Sequence, residues 1–187
     1  MTPELEKQLI EKYPDLFQDV NKSPKETLMC FGCEHGDGWY DIIDNLCGYI
    51  TYLQENVCYY LGLRKDIQDG KFNVELCCPK VIFMQIKEKY GTLRVYWKFG
   101  EIENYDEIKS RLEKPDELEV YIEKYYNKIE NVIDFCEYLS SKTCEVTGKP
   151  GKLYSKGWCV TLCKEEAIKR FGFDPDEENE NEEIIKL

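Results

Sequence analysis

Residues 143 to 172 read Thr143-Cys144-Glu145-Val146-Thr147-Gly148-Lys149-Pro150-Gly151, then Lys152 to Ser155, then Gly157-Trp158-Cys159-Val160-Thr161-Leu162-Cys163, then Lys164 to Phe171 and Gly172. Gly148 and the Pro150-Gly151 pair mark a tight knuckle. Two short strands are predicted around Leu153-Tyr154 and Trp158-Cys159-Val160, with Ser155-Lys156-Gly157 turning between them. A helix then starts at about Cys163 and runs to Phe171, where Gly172 stops it. Knuckle, hairpin and helix in this order bring the first turn of the knuckle and the first turn of the helix to one place.

That order is the layout of a treble-clef zinc finger, which draws two ligands from each of those turns with C-x2-C spacing. Here the four positions are Cys144, Thr147, Cys163 and Glu166. A threonine hydroxyl does not ionise at neutral pH, so the set offers two thiolates and one carboxylate where structural zinc takes four good donors. The expectation is a finger-shaped scaffold with a remnant site and no cofactor, zinc being the alternative. Its cohesion should then come from Leu153, Trp158, Val160 and Leu162 packing on the helix before it.

Upstream, Pro3 to Tyr13 has helical apolar spacing, and Trp39, Ile42, Ile43, Leu46, Cys47, Ile50 and Leu53 trace a long amphipathic helix over roughly 39–60. Strands are predicted at 72–77, 81–87 and 92–99, the last two joined by a Tyr90-Gly91 turn. Thr92 to Phe99 alternates, with Leu93, Val95, Trp97 and Phe99 facing the core and Thr92, Arg94, Tyr96 and Lys98 facing out. A second long helix runs from Asp116 to about Ser141. The fold class is therefore α+β: an antiparallel sheet packed on one face by two long helices, spanning 1–142, with the treble-clef-like module at 143–173 packed on it and an acidic, disordered tail at 174–187.

Net charge is −12, and seven acidic residues between Asp174 and Glu183 carry much of it, leaving the rest near −5. Such a chain is not expected to hold nucleic acid phosphates nonspecifically. No apolar run reaches membrane-spanning length and the N-terminus lacks signal-peptide character, so the expected setting is the cytoplasm of a bacterial host, without membrane contact. In that reducing setting the 10 cysteines should mostly be thiols. Cys47, Cys58, Cys77 and Cys136 read as small hydrophobes, while Cys30, Cys33 and His35 form a three-donor loop cluster.

Four segments together resemble a family of uncharacterised proteins of bacteriophages and bacteria: Phe31-Gly32 through Gly36-Asp37-Gly38-Trp39-Tyr40-Asp41, Gln85 to Tyr96, Ser141 to Gly151, and Gly157-Trp158 with Thr161-Leu162-Cys163. They fall in order over roughly 30–171. The resemblance implies a phage-type accessory protein and brings no established activity. Its members carry Cys at the place of Thr147 and Cys or His at the place of Glu166, where this chain departs.

A lone histidine and the lack of Walker, G-x-S-x-G and H-E-x-x-H patterns weigh against an enzyme. Asp37, Asp41 and Asp44 could do acid–base work, though capping and the helix dipole account for them better. Lys87, Lys89, Arg94, Tyr96 and Lys98 gather cations and a ring on one hairpin face, and Trp39 and Trp158 sit at Gly-Trp corners of the kind that line pockets. These residues suit a small anionic, nucleotide-like ligand. The expected function is a non-catalytic, counter-defence binding protein that sequesters such a ligand. The alternative is a protein-interaction inhibitor, acidic mimicry included, that occupies a host protein. Oligomeric state is open.

Overall fold

The computed structural model describes residues 1–60, 69, 74–155 and 157–175. Residues 176–187, most of the acidic tail, lie outside them, as does the side chain of Cys58. Helix α1 is Pro3–Lys12 and α2 is Tyr40–Tyr60. The stripe from Trp39 to Leu53 is buried along α2 as its spacing dictates. The second long helix, α5, spans Leu118–Ser140 and buries Leu118, Tyr125, Ile129, Ile133 and Cys136 in the same core. Short helices α3, Val74–Cys77, and α4, Tyr105–Ser110, lie between.

The α+β class holds, but the main sheet is mixed, not antiparallel. Its order is β1 (Cys33–Glu34), β2 (Val81–Lys89), β3 (Thr92–Phe99), with β1 parallel to β2 and β2 antiparallel to β3. The strand expected at 72–77 is instead the helical turn α3, with Phe72 and Asn73 outside the described residues. Leu76, Cys77, Cys78 and Pro79 are buried consecutively, a pattern that alternation along a strand does not produce. Tyr90 and Gly91 both take positive φ, 56° and 78°, the two-residue turn whose twist matches a hairpin. Between Phe83 and Gln85 the register shifts by one residue, a bulge at Met84.

The outer edge of β3 is closed by α5. The amide of Leu93 donates to Ser140 Oγ at 2.8 Å, that of Val95 to Glu137 Oε1 at 3.3 Å, and the Trp97 indole to Glu130 Oε1 at 2.6 Å. As the strand runs from 93 to 97 the helix runs from 140 to 130, so one helix satisfies groups that would otherwise template aggregation.

The C-terminal module has the expected order: knuckle, β4 (Lys152–Tyr154), β5 (Val160–Leu162) and α6 (Lys164–Phe171). Its small core is Cys144, Tyr154, Val160, Leu162, Cys163 and Ala167, with Phe171 against it. Trp158 is 71% exposed and Leu153 48%, so neither anchors the module as its apolar character suggested. The loop between the strands carries Trp158 outward, and Leu153 covers the β2–β3 turn.

Two glycine corners dock the module. Gly38 N–H donates to the Glu145 carbonyl at 2.8 Å, Gly36 N–H to Glu145 Oε1 at 3.0 Å, and Trp39 Nε1–H to the Thr143 carbonyl at 2.8 Å. A Cβ on Gly38 would lie 2.2 Å from the Cys144 oxygen and 2.4 Å from the Gly148 nitrogen. At the second corner the Thr161 hydroxyl donates to the Gly91 carbonyl, and a Cβ on Gly91 would lie 2.2 Å from Leu153 Cδ1.

Backbone cannot retreat from backbone here, so Gly38→Ala should cost about 2–4 kcal/mol of unfolding free energy. Cys144→Ser, which places a hydroxyl in a fully buried site, should cost about 1–2 kcal/mol, and Trp158→Ala no more than about 0.5 kcal/mol. Denaturant melts of the three variants check this order. A largest loss at Trp158 would contradict the docking described.

Candidate functional site

The outward residues of the hairpin come together only in part. Lys87 pairs across the strands with Arg94, and its Nζ lies 5.4 Å from the centroid of the Tyr96 ring. Lys89 stands over Tyr90 at the turn, and Lys98 is at the other end, opposite Ile82. Trp39 is fully buried, its indole bonded to the knuckle, so it is a core anchor and not a pocket wall. Trp158 lies in the β4–β5 loop, exposed.

Two of the cations are already paired. Arg94 Nη1 is 3.1 Å from Glu137 Oε2 and donates to Thr92 Oγ1 and the Leu93 carbonyl at 2.7 Å each. Lys98 Nζ is 3.5 Å from Asp19, a carboxylate buried against it and held on its other side by Lys22 at 2.8 Å. The face thus carries less free positive charge than its sequence suggests.

Next to it opens a groove of about 750 Å³ between the 24–28 segment, the hairpin and α5. Met84, turned out by the bulge, Leu28 and the Trp97–Tyr126 ring pair, centroids 5.2 Å apart, provide its apolar surface. Glu26, Glu130, Asp134 and Glu137 also line it, against a single lysine, Lys25. Of the binding residues expected from the sequence, Tyr96 alone reaches this lining. Burial raises the Glu137 carboxyl above its ordinary range; Arg94 and the Val95 amide pull it down, while Asp134 and Glu130 push it further up. Asp134 is exposed and makes no hydrogen bond or ion pair among the described residues.

The sequence did hold a sign of this site. Tyr126, Glu130, Ile133 and Glu137 recur at helical spacing on α5, forming a second face beside the apolar stripe. The bulge leaves no such sign, because Val81 to Met84 reads as one unbroken apolar run.

Several of the other candidates make structural contacts. Asp37 accepts the Thr2 amide at 2.6 Å, and Asp44 takes Lys12 at 2.7 Å and the Tyr13 hydroxyl at 3.0 Å, so both tie α1 to the start of α2. Cys30 Sγ donates to the Thr27 carbonyl, and burial pushes the Cys33 thiol up to about 12. At the finger, Thr147 Oγ1 lies 3.7 Å from Cys163 Sγ, and Glu166 is paired with Lys169 at 2.5 Å. Burial acts to raise the Cys144 thiol, but hydrogen bonds from the Thr147 hydroxyl and the backbone N–H groups of Cys163, Thr147 and Val146 outweigh it and bring it below the ordinary range. Among the described residues no three His, Cys, Asp or Glu side chains converge as metal ligands. Cys144 and Cys163, both buried, are the two thiols at the four finger positions, beside Thr147 and the Lys169-paired Glu166.

Compared with family models, with curated proteins and with solved structures, the chain matches none. No described helix is long and apolar enough to cross a membrane.

His35 is buried at 6% exposure beside the docking corner, its ring 5.7 Å from that of Trp39. Nδ1 lies 2.8 Å from the Gly36 carbonyl, which can only accept, so Nδ1 carries the proton and Nε2 is left buried without a partner among the described residues. Burial lowers its pKa from 6.5 to about 4. The unfolded chain therefore binds the extra proton first: the stability linked to His35 is full above pH 6.5 and is lost as pH falls toward 4, by at most about 3 kcal/mol. The raised carboxyls of Glu137 and Glu145 act in the opposite sense, so the readout is a difference. Urea melts at pH 7 and pH 4.5 should show wild type losing more stability than His35→Gln, and equal losses would refute the assignment.

Proposed function

We propose that the protein is a non-catalytic interaction protein of the phage type its sequence resemblance implies, and that it occupies a partner protein through the groove between the 24–28 segment, the hairpin and α5. The carrying observation is the lining itself: rings and a bulge-displayed methionine flanked by four carboxylates and a single lysine. Leu28, Met84 and Tyr126 are 45%, 37% and 43% exposed, apolar surface of the kind that protein partners cover. The lining contains no serine, cysteine or histidine, and Glu130 and Glu137 are committed to the edge of β3. An anionic, nucleotide-like ligand has less support, because Arg94 and Lys98 answer internal carboxylates and the groove beside them is acidic.

A photo-crosslinking phenylalanine at position 126 should capture one protein in host cells, and the same group at Tyr90, 68% exposed at the hairpin turn, should not. Asp134→Lys should abolish the capture. No capture at 126, together with nucleotide binding that Arg94→Ala removes in calorimetry, would restore the anionic-ligand reading instead.

A further inference from the structure

We infer that the groove recognises an arginine side chain on a basic segment of its partner, the guanidinium seated against the Trp97–Tyr126 ring pair and paired to Asp134. The inference rests on the reading just given and specifies its chemistry. Charge complementarity sets the sign of the occupant, since four carboxylates face one lysine in a single trough. Two of those carboxylates are engaged: Glu137 accepts the Val95 amide through Oε1 and pairs with Arg94 through Oε2, and Glu130 Oε1 takes the Trp97 indole. Glu26 is held at the rim by Ser23, whose amide and hydroxyl both donate to Oε2. Asp134 is the carboxylate left with both oxygens open among the described residues, and a carboxylate with two free oxygens is what a guanidinium fork meets bidentately.

The rings select arginine over lysine. Trp97 and Tyr126 lie within 5.2 Å and 33° of each other, and Trp97 is pinned in its rotamer by Glu130. A guanidinium is planar and weakly hydrated, so it can stack on such a surface and pair with a carboxylate at once, whereas an ammonium is a compact, strongly hydrated point charge. Around the ring pair, Leu28 and Met84 offer adaptable apolar contact for the residues that flank the arginine.

The test uses three peptides of equal length carrying two arginines, two lysines or two glutamates on an otherwise identical uncharged frame, titrated into the full chain and followed by tryptophan fluorescence and calorimetry. The arginine peptide should bind saturably and at least tenfold more tightly than the lysine peptide, with affinity falling as salt rises, and the glutamate peptide should not bind. Asp134→Asn should weaken the arginine peptide at least tenfold, while Asp41→Asn, an exposed carboxylate on α2, leaves it unchanged. Thermal melts confirm that both variants fold. Equal binding of the lysine and arginine peptides, no binding of either, or indifference to Asp134→Asn overturns the arginine assignment. If crosslinking at position 126 still captures a partner in that case, the groove stands as the interaction surface and its occupant has other chemistry. If that capture fails too, the groove reading falls with it.

Discussion

The hydrogen bond from Gly38 N–H to the Glu145 carbonyl depends on Gly38 having no side chain, since a Cβ there would lie 2.2 Å from the Cys144 oxygen and 2.4 Å from the Gly148 nitrogen. Around it, the Gly36 amide holds the Glu145 carboxylate and the Trp39 indole holds the Thr143 carbonyl, so three donors from one loop satisfy three acceptors of the knuckle. Trp39 then continues into the buried stripe of α2. A single side chain is thus shared between the large core and the polar frame of the small one. The second contact, Thr161 to the Gly91 carbonyl, ties the hairpin turn to β5. Both contacts fix the position of the knuckle through hydrogen bonds and close backbone packing, and Thr147 lies beside the Cys163 thiol within it.

The same arrangement sets the groove. Helix α5 ends at Ser140, three residues before Thr143 of the knuckle, so docking the knuckle fixes the C-terminal end of the helix whose residues 126 to 137 form one wall. Ser140, Glu137 and Glu130 lock that wall to the edge of β3. Glu137, which takes the Val95 amide, and Glu130, which takes the Trp97 indole, thereby line the groove with the ring pair. Glu137 serves both ends, closing the strand edge and adding to the negative charge of the site, where Asp134 and Glu130 push its carboxyl up.

Much of this is legible in the sequence. The helices follow from apolar spacing, the β2–β3 hairpin from alternation around Tyr90-Gly91, and the finger-like module from its order of turns. What failed to show was nonlocal. A two-residue strand at Cys33–Glu34 exists through its parallel pairing with Ile86 and Lys87, which no local pattern encodes. Residues 74–77 are apolar enough for a strand, yet they fold as a helical turn buried throughout from Leu76. The cations of the hairpin stood out in an acidic chain, but whether a charge is free depends on Glu137 and Asp19, distant in sequence from Arg94 and Lys98. Trp39 and Trp158 share a Gly-Trp signature and have opposite fates, one fully buried and the other 71% exposed. Phe31 to Asp41, Gln85 to Tyr96 and Ser141 to Gly151 largely map to the two docking corners, and the groove lies mainly in other residues.

These corners make the two cores one cooperative unit. Native-state hydrogen exchange of the Gly38 and Glu145 amides tests it most directly, since Gly38 bonds across the junction and Glu145 bonds the Thr161 carbonyl within the module. Both should exchange only through global unfolding, with the same free energy and denaturant dependence as the Ile43 and Leu46 amides of α2. Exchange of either amide at a markedly lower free energy, with little denaturant dependence, would show that the module opens by itself and would contradict the account.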